Sequence, residues 1–338
     1  MPTYKCAVVK HGGAKLEMEE REIPTPEGGE VLIKVAACGV CHSDVAVMTG
    51  HWPDITYPRV PGHEVIGYVE SVGEGVQWPT VGMLVGVGWH GNHCLFCDDC
   101  RRGDFMSCKN SLVTGIHRDG GYAEYMLAHW TGCARIPDGM DPVAAAPLVC
   151  AGVTCFNAMR NEPSAGPGDL VAIQGVGGLG HLGIQFAKKM GYRVAAISTS
   201  ERKKELATEL GADFFIDTSK ESASKQLKAL GGAKMILATA PNSKSMGDLV
   251  NGLGKNGRLV IVGADSGAFE LSPFQVIGNC GGVAGWASGC GSDYEDTCSF
   301  AHHNGVTSVN KVFSLEEAQD AYDQMMKGQV NFRAVIKP

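Results

Sequence analysis

Apolar and polar positions follow two rhythms along the chain. Over the first 140 residues the apolar positions come in short runs, CAVVK, VLIKVAAC, VIGYVESVG, MLVGVGWH and YAEYMLA, broken by glycine and proline. That pattern predicts strands joined by turns. From about residue 149 the runs alternate between strand and helix periods. LVAIQ is followed by a helix through HLGIQFAKKMG, RVAAIS by ERKKELATELGA, then FFID, KMILATA, a helix near SMGDLVNGL, RLVIVGA and GGVAG. Such alternation predicts parallel βαβ units with helices covering both faces of a sheet. After about residue 286 the pattern is mixed again, with one amphipathic helix at SLEEAQDAYDQMMKG and a closing strand, FRAVIK. The expected fold class is therefore α/β. A β-rich domain built from residues 1–148 and 286–338 carries, as an insertion, a doubly wound parallel-sheet domain over residues 149–285.

Composition adds little to this picture and excludes some partners. The 338 residues suffice for two cores, and 44% hydrophobic with 19% charged content is ordinary for a globular chain. The 46 glycines are nearly twice the usual share of about 7%, so tight turns are frequent. With a formal charge of -7 and scattered basic residues, the chain lacks the footprint of a nucleic-acid or anionic-membrane partner; a small-molecule partner is expected. The N-terminal MPTYKCAVVKHGG has no charged start leading into an apolar core, and no apolar run approaches the roughly 20 residues of a membrane span. A cytoplasmic location is expected.

Directly after the strand LVAIQ stands GVGGLG, residues 175–180, and then a helical pattern. Gly175, Gly177 and Gly180 match the Rossmann dinucleotide fingerprint, which needs one glycine for the tight turn, one for backbone approach to a pyrophosphate and one for helix packing. Gly178 and Leu179 complete the turn that leads to the positive end of the helix. At the end of the next strand, where an acidic residue would receive the ribose hydroxyl of NAD, stand Ser198, Thr199 and Ser200, followed by Arg202, Lys203 and Lys204. Hydroxyls and cations accept a 2′-phosphate that a carboxylate would repel, so NADP is expected over NAD. Glu201 keeps an NAD ribose contact open.

The thirteen cysteines fall in two clusters plus singles, which suits metal binding and reduced thiols. In CLFCDDCRRGDFMSC, Cys94, Cys97, Cys100 and Cys108 have the spacing of a closed four-cysteine zinc site. A second constellation is spread wider: CGVCHSD at 38–44, GHE at 62–64 and Cys150 in PLVCAGVT. Two thiolates and one imidazole would leave a fourth position open on zinc, as catalysis requires. Cys6, Cys38, Cys133, Cys155, Cys280, Cys290 and Cys298 read as small packing or surface residues.

Taken in order, CGVCHSD, PGHEVIG, the four-cysteine loop, CAGVT, GVGGLGH and FRAVIK resemble the zinc-containing alcohol dehydrogenases of the medium-chain dehydrogenase/reductase superfamily, in particular the yeast-type and cinnamyl-alcohol-dehydrogenase-like branches. The resemblance implies a GroES-like catalytic domain beside the Rossmann domain, two zinc ions per subunit and a homodimer or homotetramer. It implies catalytic zinc ligands Cys41, His63 and Cys150, with Cys38 a non-ligand, and structural zinc at Cys94, Cys97, Cys100 and Cys108. Asp44 would hold His63, Glu64 would approach the metal, Ser43 would take the alcohol proton, and His42 would lie near the cofactor pyrophosphate. Thr154 would touch the nicotinamide and Arg333 a cofactor phosphate. One position departs: the relay histidine three residues after Ser43 is Ala46, and His51 does not align with it.

The activity so implied is hydride transfer between a primary or secondary alcohol and NADP(H) or NAD(H), with aldehyde or ketone formed in that direction. Trp52, Tyr57 and Trp89 are candidate liners of the substrate site. Two alternatives remain: a biosynthetic reductase of a conjugated or iminium bond on the same scaffold, and a zinc-ribbon nucleic-acid module, which the charge and the glycine turn oppose.

Overall fold

In the computed structural model, which describes residues 2–263 and 265–338, the chain divides into two compact units: Met1–Val153 with Ser288–Pro338, and Thr154–Ala287. Among the described residues no single helix is long and apolar enough to cross a membrane.

The first unit opens with β1 (Thr3–Val9) and β2 (Leu16–Glu22), an antiparallel pair in which Cys6 faces Glu19. It continues with β3 (Glu30–Val40), β4 (Val65–Val72), β5 (Leu84–Val87), β6 (Tyr125–His129) and β7 (Cys133–Arg135). In the second unit β8 (Leu170–Gln174), β9 (Arg193–Ser198), β10 (Phe214–Asp217), β11 (Ala233–Ala238), β12 (Leu253–Ile261) and β13 (Gly282–Gly285) alternate with helices. The chain then returns to the first unit with β14 (Asn310–Ser314) and β15 (Arg333–Lys337).

The first unit's seven-stranded sheet runs β14-β15-β3-β4-β5-β7, with β6 also paired to β3. β3 is its axis, 11 residues long, and its register with both neighbours sets the site: Cys38 lies opposite Val65 on β4, and Val40 opposite Ala334 on β15. Cys41 and Glu64, just beyond those strand ends, and Arg333, the first residue of β15, are thereby brought together. β3 can sit between two strands because its side chains are buried nearly throughout, Val31 and Ile33 on one run and Ala37, Cys38 and Val40 on the next.

The second unit is a six-stranded parallel sheet ordered β10-β9-β8-β11-β12-β13. Its central strand LVAIQ is buried at every position, as expected where helices cover both faces and apolar residues need not alternate. Strand order reverses between β8 and β11, and the glycine turn follows β8, the place where open α/β sheets bind ligands.

Among the described residues, the longest of the helices outside the sequence pattern's reach is Gly291–Asn304, 14 residues. Its buried stripe is Gly291, Tyr294, Thr297, Cys298 and Ala301, small or polar at most positions, so no apolar period announces it. Asp293 closes its first turn by accepting the Cys290 backbone N–H at 2.9 Å, and Gly305 ends it at φ 68°. β2 was missed for a related reason: LEMEERE carries charges on an edge strand, where they cost nothing.

Ile173 at the centre of β8 is fully buried. Ile173→Ala is expected to lower unfolding free energy by about 3 kcal/mol in chemical denaturation, through lost transfer energy and an unfilled cavity.

Candidate active site and metal centres

Two clusters bring metal-ligating atoms within 4.8 Å of one another: Cys41, His63, Glu64 and Cys150, and Cys94, Cys97, Cys100 and Cys108. The residues of the first are delivered by three local devices. Cys41 follows β3 and caps a single turn, His42–Asp44, while His63 and Glu64 immediately precede β4. Cys150 sits between the turn Ala146–Val149 and the helix Ala151–Arg160.

The sulfurs of Cys41 and Cys150 lie 3.9 Å apart. Cys150, hydrogen-bonded to Cys41, holds that thiol well below its ordinary range, helped by the nearby charge of His63, while the Cys150 thiol is pushed up in exchange. One thiolate is thus ready in a buried place. His63 is almost fully buried, with Nδ1 3.1 Å from Asp44 Oδ1. Burial opposes a charged imidazole, yet Asp44 and Cys41 outweigh it and push its pKa well up. Nε2 of His63 is buried with no hydrogen-bond partner. An orphaned imidazole nitrogen beside two sulfurs is an expensive arrangement unless a cation completes it. The donor set therefore fits zinc.

Glu64 is fully buried and ion-paired through Oε1 to the equally enclosed Arg333, while its Oε2 is buried without a partner. Burial raises its carboxyl to about 7, with Arg333 pulling the other way. Gly39 makes room for it: a Cβ there would lie 1.9 Å from Glu64 Oε2. Arg333, expected toward a cofactor phosphate, lies in this pair, 4% exposed. His42 and Ser43 are exposed, and the Ser43 backbone N–H reaches the Cys41 sulfur at 3.5 Å. Ala46 is buried, and His51 is exposed with Nδ1 2.8 Å from Thr49 Oγ1. Cys38 is buried, its thiol 3.6 Å from Gly39 O and outside the cluster.

The aromatic residues fall into order here. Trp89 meets the His63 ring edge-to-face at 4.9 Å between centroids, and Trp52 meets Trp89 likewise at 5.4 Å. Tyr57 spends its hydroxyl on Val47 O at 2.5 Å.

In the second cluster, Cys94 and Cys100 sulfurs are 4.0 Å apart, and the backbone N–H groups of Cys94 and Cys97 point at Cys108 and Cys94 sulfurs, each at 3.4 Å. Against some burial, the Asn110 side chain and the N–H groups of Phe96 and Cys97 lower the Cys94 thiol to about 6. The loop thus collects thiolate-stabilising donors, as a closed zinc site does. Beside it, His90 Nε2 lies 3.2 Å from His93 Nδ1, and His90 Nδ1 3.2 Å from Ser111 Oγ.

In the second unit, Gly175 has φ +94°, and a Cβ on Gly180 would sit 1.7 Å from Gly175 O, so the helix Gly180–Lys189 can close on the turn only with glycine there. Gly177 is different, since a Cβ on it would meet nothing within 4 Å. That open backbone, between Val176 and Gly178 and ahead of Leu179, is what a pyrophosphate would approach. Thr239 steadies the turn, donating to Gln174 O at 2.8 Å. Sequence reasoning had no signal for Thr239. Ser198 Oγ donates to Ser200 O at 3.2 Å, and Ser200 Oγ accepts Arg202 N–H and Nε–H, both at 3.3 Å. Thr199 is exposed, Lys203 Nζ donates to Val176 O at 2.6 Å, and Glu201 is drawn to Lys220 at 2.6 Å. Thr154 is buried.

Gly180→Ala is expected to abolish dinucleotide binding in calorimetry while leaving the metal content unchanged. A pH effect follows from His90, whose pKa burial and His93 lower to about 4. The unfolded chain, with its ordinary value of about 6.5, takes up this proton first, so stability is full above about 6.5 and falls as pH drops toward 4. Denaturation midpoints at pH 7 and 4.5 are expected to differ less in His90→Gln than in the unaltered protein.

Two family models match the chain: the alcohol dehydrogenase GroES-like domain over residues 27–138 and the zinc-binding dehydrogenase domain over residues 178–303. The alcohol dehydrogenase patD of Penicillium expansum is 45% identical over 334 residues, covering 99% of this chain and 97% of its own. Among solved structures, a cinnamyl alcohol dehydrogenase of Sorghum bicolor superposes with a TM-score of 0.88 at 31% identity, over 99% of this chain and 98% of that one. The CAD of Helicobacter pylori, solved with NADP(H), gives 0.87 at 25% identity, over 99% and 98%. With the thiolate–imidazole cluster, the four-cysteine loop and the glycine turn all in place, the chain belongs to the zinc-binding alcohol dehydrogenases of the medium-chain dehydrogenase/reductase superfamily and oxidises alcohols or, in reverse, reduces aldehydes.

Proposed function

We propose that the protein is an NADP(H)-preferring alcohol dehydrogenase working chiefly as an aldehyde reductase, with Cys41, His63 and Cys150 holding its catalytic zinc. The observation that carries the metal assignment is the buried, partnerless His63 Nε2 beside the Cys41–Cys150 sulfur pair. Zinc held there would supply Lewis acidity, making a bound alcohol more acidic or polarising a carbonyl, and the nicotinamide would take or give the hydride.

The chain's own residues do the rest. Asp44 orients His63 through Nδ1. Ser43 receives the alcohol proton at Oγ, and because Ser43 is exposed while Ala46 offers no base, the proton passes from it to water. Glu64, restrained by Arg333, keeps a carboxylate oxygen beside the ligands for moments when substrate and product exchange. His42 would lie by the pyrophosphate of the cofactor and Thr154 by its nicotinamide. Trp89 and Trp52 form an apolar wall next to His63, which favours aromatic or medium-sized apolar alcohols. Cys94, Cys97, Cys100 and Cys108 would carry a second, structural zinc that pins their loop.

The NADP preference is supported by Glu201, which Lys220 occupies, and by the hydroxyls of Ser198, Thr199 and Ser200 beside Arg202 and Lys203. The Helicobacter relative with NADP(H) is consistent with it. The free thiols suit a reducing, cytoplasmic setting, and a homodimer or homotetramer is the expected assembly.

Turnover of an alcohol and aldehyde panel with each cofactor tests this reading. A charge-assisted bond to a 2′-phosphate is worth about 1.5–3 kcal/mol, so kcat/KM for NADPH is expected to exceed that for NADH by about tenfold or more. A preference for NADH overturns the cofactor assignment alone. Cys41→Ser is expected to abolish turnover and halve the zinc content while dinucleotide affinity is kept; full activity after selective removal of the catalytic zinc would sink the mechanism.

A further inference from the structure

His63 depends on Asp44, and Asp44 depends on a residue no motif marks. While Asp44 Oδ1 faces His63 at 3.1 Å, its Oδ2 accepts the Cys41 backbone N–H at 2.9 Å and the phenolic O–H of Tyr122 at 2.9 Å. Tyr122 is fully buried, and burial together with the Asp44 charge pushes its phenol well up, so the hydroxyl stays protonated and can only donate here.

The ring has no freedom to turn that hydroxyl elsewhere. Gly62, at φ +100°, lies flat against it: a Cβ there would come within 2.5 Å of Tyr122 Cδ1. The backbone of Tyr122 is stitched to the segment that delivers His63, with Tyr122 N–H donating to Pro61 O at 3.1 Å and Gly121 N–H to Gly62 O at 3.0 Å. On its other side, Tyr122 O accepts from Ala7 N–H at 2.8 Å.

A carboxylate held by one contact can rotate and offer an imidazole either oxygen. Two donors on Oδ2 fix the plane of Asp44 and reserve Oδ1 for His63 Nδ1–H, so that Nε2 is the nitrogen whose lone pair would go to a zinc ion beside Cys41 and Cys150. We propose that Tyr122 is a positioning residue for the catalytic metal, acting through Asp44 to set the tautomer and ring orientation of His63. This rests on the assignment of Cys41, His63 and Cys150 as the zinc-holding set.

Tyr122→Phe keeps the ring and removes only the O–H. In chelator competition on the zinc-loaded protein, the catalytic zinc is expected to be held about tenfold more weakly, the size of effect typical of lost outer-shell partners. Zinc at the four-cysteine loop is expected to be retained as before, an internal control for folding. With cobalt in the catalytic site, the ligand-field and thiolate charge-transfer bands are expected to shift. Unchanged zinc retention with superimposable cobalt spectra overturns the proposal, and so does parallel loss of both metals, which would assign the hydroxyl to general packing. Should the Phe variant not fold, 3-fluorotyrosine placed at position 122 keeps the ring and sharpens the donor; shifted cobalt bands support the proposal and unchanged bands overturn it. Failure of the underlying assignment looks different: Cys41→Ser would then leave the zinc content of the otherwise unaltered protein unchanged.

Discussion

The first unit is organised around a buried ion pair, Glu64 with Arg333, joining residues 269 positions apart at the starts of β4 and β15. Two charges removed from water are costly unless each finds an opposite charge and hydrogen bonds, and removing one partner alone strands the other. The pair therefore demands that β15, the last strand of the chain, lie two strands from β4 with β3 between them, as the sheet order has it. It also demands that β3 present no side chain at Gly39, where Glu64 passes. Once those conditions hold, His63 and Cys41 have few other places to be.

The cluster shows how a fold makes reactive groups out of ordinary ones. Cys41 is buried and Cys150 half-buried, and their contact, with the charge of His63, holds the Cys41 thiol down while the Cys150 thiol is pushed up. Burial raises the Glu64 carboxyl to about 7, with Arg333 pulling the other way. Other buried cysteines, Cys133 and Cys298, are pushed up to about 12, chiefly by burial, and stay inert. Burial is common to all of them, and what sets Cys41 apart is the Cys150 contact first and the His63 charge after it.

Glycine does in the second unit what charge does in the first. Gly175, Gly177 and Gly180 serve three separate ends: a left-handed turn, open backbone for a ligand, and closure of a helix on the strand before it. After β9, the Ser200 hydroxyl accepts from Arg202 at 3.3 Å and Lys220 pairs with Glu201 at 2.6 Å.

The alternation of strands and helices in the second unit, the glycine turn and the four-cysteine loop were legible in the sequence, because each depends on local spacing that backbone geometry reads directly, whereas Cys41, His63 and Cys150, spread over 109 positions, were marked as a ligand set by the family resemblance. The four-cysteine loop is the clearest case, since its ligands lie within one short segment and local turns suffice to gather them. Less legible were β2 and the helix Gly291–Asn304, whose exposed charges or small buried residues blur the period. What the tertiary structure alone decided is register: that Arg333 meets Glu64, that Trp89 lies against His63, and that Tyr122 donates to Asp44. Those contacts join residues separated by 26 to 269 positions and have no periodic signature, because only the pairing of β3 with β4 and β15 brings them within reach.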